Sequence, residues 1–180
     1  GPEQLASALK MCKDLGCFEI IFPLANLNQA CIDKCVQMPC ILDARMCGLL
    51  YAAKNIGSCL KKWDYDSPFI KRCQNLSEAA RLEGSLEEIA EPLAKIGLDS
   101  ALRACSYFKK DSSVFNELLN AGAPLNKESI AITGTEIAKR IGPSGKSISL
   151  IKTKLYKEVL LNPYLNNNEA LNALLDSMGC

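Results

Sequence analysis

Apolar residues recur at intervals of three and four along almost the whole chain, while runs that alternate apolar with polar residues are scarce. Leu5, Leu9 and Cys12 fall on one helical face. Met46, Leu49, Leu50 and Ala53 do the same, as do Phe69, Ile70, Cys73 and Leu76. Helices striped in this way bury their apolar faces by packing on one another. The expected fold class is therefore all-α, a multi-helix bundle followed by a smaller α-helical tail. With 180 residues, 48% of them apolar, the chain can build a core, which argues against disorder. No apolar run approaches the length that crosses a bilayer, so no membrane partner is expected.

Punctuation between the stripes divides the chain. A first helix is expected over 4–15, stopped by Gly16; Gly1-Pro2 look like the scar of a cleaved expression tag and stand outside it. The run 17–23 has strand-like composition but no partner run, so a packed turn is expected there. Further helices are expected over 26–36, from Leu42 to an end at 55–57, and over 58–63. Ser67-Pro68 reads as a helix start with serine as N-cap. Ser85 followed by Glu88 reads as the capping box of a helix over 85–96. Helices over 98–108 and 113–121 complete a body at 3–121. Gly122-Ala123-Pro124-Leu125-Asn126 then reads as a hinge into a tail at 122–180. In that tail a helix ends at Ile141, a longer one reaches Leu161, and a last one covers 169–175.

Ten cysteines and no histidine exclude several chemistries. No cysteine pair has CxxC spacing, and mixed Cys/His zinc sites are unavailable. Cys31 and Cys35 lie one helical turn apart among apolar residues, where thiols act as small hydrophobes. A chain able to build its own core needs no disulfide framework, so a reducing, cytoplasmic setting is expected. Without histidine, most hydrolytic nucleophile arrangements have no base. Residues 142–147 resemble the end of a P-loop, but no glycine stands at the full spacing and no strand precedes them. No catalytic residues are assigned, and no metal or cofactor site is expected in this chain.

The net charge of +1 conceals an uneven distribution. Residues 83–91 carry four glutamates and no basic group, whereas Lys139, Arg140, Lys146, Lys152, Lys154 and Lys157 face only Glu136 and Glu158. In the middle of this basic end, 132–149 reads as helix, glycine turn, helix, with the turn at Gly142-Pro143-Ser144-Gly145. The free amides opening the second helix, the positive end of its macrodipole and Lys146 together make a ready phosphate site. The Ser144 hydroxyl adds a donor, and the glycines admit a close backbone approach. Nothing there reads a base edge, so shape and phosphate contact is the expected mode. By residue type alone an ordinary helical hairpin with solvated lysines fits slightly better.

Residues 132–149, continued through Leu150, Leu155, Val159 and Asn167-Asn168-Glu169-Ala170-Leu171, resemble the tail of bacterial-type CCA-adding tRNA nucleotidyltransferases, members of the poly(A) polymerase/tRNA nucleotidyltransferase family. Ile132, Gly134, Glu136, Ile141, Gly142, Pro143 and Gly145 occupy the places of that pattern, with Ser144 intervening. Residues 59–72, with Lys61, Lys62, Trp63, Lys71 and Arg72, are similar to the helical body of these enzymes, and 16–23 to the approach to that body.

The resemblance implies a part of such an enzyme that grips the tRNA acceptor stem and T-arm. Nucleotidyl transfer, with Mg2+ and CTP or ATP, belongs to a head domain supplied in cis or in trans. The head's glycine-serine signature with paired aspartates and the neck's glutamate-aspartate-arginine signature do not occur here. Asp43 and Arg45 imitate part of the latter within body-like sequence and read as structural. Asp64 and Asp66 read as polar residues opening a helix. Carried over residue by residue, the RNA-binding candidates are Lys139, Arg140, Gly142, Ser144, Gly145 and Lys146, followed by Lys152, Lys154 and Lys157. Lys61, Lys62, Lys71 and Arg72 would extend the surface. Trp63 offers a ring on which a ribose or base could stack, but a lone tryptophan is more often core, and the core is the expected place. The competing expectation is a non-catalytic α-helical interaction or scaffold domain.

Overall fold

The computed structural model describes residues 1–179. Among them are twelve α-helices, two short 3-10 turns and no strand, so the fold is all-α. The helices fall into two compact units. One comprises residues 1–80 with 106–110, the other residues 81–105 with 111–179. The Gly122–Asn126 segment expected as a hinge lies inside the second unit. Composition marks a turn there correctly, but Tyr156 ties that turn into the core: its hydroxyl donates to the Pro124 carbonyl at 2.8 Å and accepts from the Leu98 N–H at 3.3 Å.

The first unit contains α1 (Pro2–Asp14), α2 (Cys17–Ile21), α3 (Gln29–Gln37), α4 (Leu42–Leu49), α5 (Ile56–Lys61) and α6 (Ser67–Ala79). Residues 17–21 form a short helix, not a bare turn, entered through Gly16 in the left-handed region at φ 69°. Asn28 and Asn55 cap α3 and α5 by accepting from Cys31 N and Ser58 N. Asp66, not Ser67, caps α6, accepting from Phe69 N at 2.6 Å and leaving Ser67 and Pro68 in the first turn. A carboxylate at an N-cap also complements the helix dipole, which accounts for the one-residue difference.

The core of this unit is sulfur-rich. Cys31, Cys35, Cys47, Cys59 and Cys73 are buried as free thiols. The Cys47 thiol donates to the Cys73 carbonyl at 3.3 Å. A side-chain hydrogen bond with Cys73, then burial, raises the Cys47 pKa far above the ordinary thiol value. Helices α3 and α4 meet at Gly48, where an added Cβ would lie 2.9 Å from the backbone N and Cα of Cys35. Residues 106–110 belong here through Phe108, whose ring sits 5.7 Å from that of Tyr51, with Lys34 over the Tyr51 ring.

Trp63 departs from its expected place. It is 46% exposed, with its indole N–H donating to the Ile21 carbonyl at 2.6 Å and its ring edge-on to Phe22. One polar tether and one ring contact hold it at the surface instead of within the core. Asp43 is buried at the N-terminus of α4, accepting from Ala44 N, with Arg72 at 3.7 Å. Arg45 donates from Nε to the Pro39 carbonyl. Both therefore serve the first unit's own architecture.

The second unit holds α7 (Leu86–Ile96), most of α8 (Leu98–Phe108), α9 (Ser113–Asn120), α10 (Gly134–Ile141), α11 (Gly145–Leu161) and α12 (Asn168–Ser177). The start of α7 is the expected box, with Glu88 accepting from Ser85 N at 2.7 Å. Helix α11 is central: Leu155, Tyr156, Val159 and Leu160 are fully buried, and α7, α10 and α12 all pack on it. Among the described residues no helix is long and apolar enough to cross a membrane.

Candidate nucleic-acid interface

Helix α10 starts at a reciprocal cap. Thr133 Oγ1 accepts from Glu136 N, while the Glu136 carboxylate accepts from Thr133 N at 2.7 Å and from its hydroxyl. Those bonds to Thr133 hold the Glu136 carboxyl below the usual carboxylate range. The helix ends at Gly142, whose φ of 86° suits glycine and reverses the chain. Pro143 and Ser144 complete the turn, and Gly145 opens α11.

No side chain caps α11. Its first amides, on Gly145, Lys146 and Ser147, therefore face solvent together with the positive end of a 17-residue helix. The Ser144 hydroxyl is beside them, accepting from Ser147 Oγ at 3.3 Å. Pro143, Ser144, Gly145 and Lys146 are all exposed. A Cβ at Gly142 or Gly145 would meet nothing, so the turn is open toward solvent.

Pairing within the unit sorts the remaining basic candidates. Lys152 is buried and its ammonium lies 2.7 Å from Glu128. Arg140 bridges to α12, donating to Asp176 and, at 3.0 Å, to Asn172. Lys157 is half-buried, 3.9 Å from Glu91, while Lys95 holds the other oxygen of that carboxylate at 3.0 Å. The two contacts with Lys95, then Lys157, keep the Glu91 carboxyl below its ordinary value. Thus the acidic stretch and the basic end, far apart in sequence, partly neutralise one another in space.

Lys139, Lys146 and Lys154 remain exposed and make no ion pair among the described residues. Lys139 and Lys146 stand on either side of the turn, one in the last turns of α10 and one in the first of α11. Lys154 lies further along α11, beside a cavity of about 410 Å3 shared with Leu150, Thr153 and Lys157. Sequence reading overlooked Lys127, which donates to Ser149 Oγ at 2.8 Å and Thr153 Oγ1 at 3.3 Å and so braces the exposed side of α11. No local motif announces that brace. In the first unit Lys61, Lys62 and Lys71 are exposed, and Arg72 is turned toward Asp43.

Among the described residues no group of three or more cysteines, aspartates or glutamates is arranged to hold a metal ion. No protein-family model matches the chain, and neither the curated proteins nor the solved structures contain a significant match.

Proposed function

We infer that the chain is the tRNA-gripping body and tail of a CCA-adding-type nucleotidyltransferase, acting in the cytoplasm with a catalytic head in cis or in trans. In this reading it holds the acceptor stem and T-arm through phosphates and adds no nucleotide itself; Mg2+ and CTP or ATP belong to the head. One observation carries the reading: an uncapped helix start, an open glycine turn and two unpaired lysines meet at 139–146, within the stretch that resembles the family's tail. Free amides at the positive end of a helix bind phosphate oxygens, and flanking lysines add charge without sequence preference. The phosphate-contacting set is Lys139, Gly142, Ser144, Gly145 and Lys146, with Lys154 beyond it. Arg140, Lys152 and Lys157 support the surface from within.

The test is a titration into a labelled minihelix of acceptor stem and T-arm, at low and moderate salt, beside single-stranded RNA of equal length. The reading predicts salt-sensitive binding that prefers the minihelix. Equal, feeble binding to every RNA would leave the scaffold reading, which the exposed Met11, Leu15, Ile20 and Leu24 of the first unit favour.

A further inference from the structure

A half-open cavity of about 670 Å3 lies among α1, α3 and α4 in the first unit. Its walls are aliphatic: Leu5, Leu9, Leu42, Met46 and Leu49 supply most of them. Leu5 and Leu9 are only half-buried, so the apolar face of α1 is spent on this cavity and not on a closed core. The size falls within the range of sites that enclose small organic ligands, roughly 300–1,000 Å3.

The charge in the wall gives the cavity its chemistry. Arg45 lines it, as does Gly1 with the amino terminus, and no carboxylate does. The guanidinium Nε is occupied by the Pro39 carbonyl at 3.1 Å, but Nη1 is withdrawn from solvent with no hydrogen-bond partner. A charged donor held in that state is costly, and an acceptor carrying negative charge relieves the cost best. The neighbouring Cys35 does not supply that charge. Burial pushes its thiol up, with Arg45 drawing it only part of the way back, so it stays protonated at neutral pH.

We propose that this cavity binds an aliphatic carboxylate of medium to long chain, its tail against Leu5, Leu9, Leu42, Met46 and Leu49 and its carboxylate on Arg45. A small rotation of the guanidinium presents the unpaired Nη1 to the cavity, where a carboxylate satisfies it while the alkyl chain displaces water from the leucine walls. This site is independent of the RNA reading, since it shares no residue with the α10–α11 turn.

The experiment is calorimetric titration of the full chain with dodecanoate below its micellar concentration, and separately with dodecanol. The acid should bind one to one, and the alcohol, equal in tail but uncharged, about tenfold more weakly or worse. Arg45→Met should weaken the acid by about tenfold and leave the alcohol unchanged. Leu9→Glu should abolish binding of both, with circular dichroism confirming that the variant is folded. Absence of dodecanoate binding overturns the proposal, as does equal affinity for acid and alcohol, which would mark a purely apolar groove. Binding that survives Leu9→Glu in a folded protein places the ligand elsewhere and also overturns it. The acid–alcohol comparison needs no variant.

Discussion

In the first unit two helices approach closely enough at Gly48 that even a methyl group would strike the backbone of Cys35, and buried thiols fill much of the interior. In the second unit polar ties fix the helices instead: on α11, Tyr156 through its hydroxyl and Lys152 through Glu128, and between α10 and α12, Arg140 through Asp176. Small soft groups let α3 and α4 approach without directing anything outward. Polar ties on α11 consume some of its cations and leave others free. The first unit's specificity thus lies in steric fit, and the second unit's in the distribution of its lysines.

The largest effect that sharpens this contrast is expected from one substitution made in both units. Gly48→Ala should cost about 1–3 kcal/mol in urea denaturation, because α3 must shift to admit the methyl. Gly145→Ala has open space and an ordinary helical position, and should change stability by less than about 1 kcal/mol, with stabilisation favoured. Equal losses at the two sites would erase the steric distinction.

Next in size is Tyr156→Phe, which leaves the buried Pro124 carbonyl without its donor and should cost about 1–2 kcal/mol. Burial holds the folded-state pKa of Tyr156 above its unfolded value near 10. The raised folded value means that the stabilisation is complete below pH 10 and declines as pH rises beyond it. Melting temperatures between pH 8 and 11 should therefore fall more steeply for the unaltered chain than for the phenylalanine variant.

Thr133→Ala removes the cap of α10 and should cost about 1 kcal/mol by thermal denaturation. Its partner Glu136 has a depressed carboxyl, so the cap is intact above the ordinary carboxylate pKa and is lost as pH falls through the lowered value. The smallest effect concerns thiol chemistry. In the native protein a disulfide reagent should label Cys40 first among the cysteines of residues 1–179, because it is exposed, while Cys47 and Cys73 react only on unfolding. Peptide mapping of the labelled chain checks the order.

The helical period and the cap at Ser85 follow from short-range sequence rules, and most helix positions could be read from the period. Asn28, Asn55 and Thr133 also cap helices, but Asn55 reads in sequence as a helix end and the other two carry no mark that separates them from ordinary polar residues. Asp66 and Ser67 are both good caps, so their competition was not resolvable from composition. The two-unit division was hidden for another reason: Tyr156 reaches Pro124 and Leu98 across 32 and 58 residues. Trp63 was misplaced because an indole satisfied by one carbonyl is stable at a surface. In the candidate interface, the uncapped turn was legible from Gly142-Pro143-Ser144-Gly145. Which lysines stay free was not, because Lys152 meets Glu128 across 24 residues and Arg140 meets Asp176 across 36.

The most direct test pairs two lysines of one helix. Lys146→Glu and Lys152→Met are compared for minihelix affinity over a salt series, each checked for folding by circular dichroism. The account predicts that Lys146→Glu weakens binding by about tenfold or more and makes the salt dependence shallower, as expected when a phosphate contact is lost. Lys152→Met should leave both nearly unchanged, since that ammonium already belongs to Glu128. Equal losses from the two changes, or an unaltered salt slope in Lys146→Glu, would contradict the assignment of the α10–α11 turn as the phosphate-binding surface.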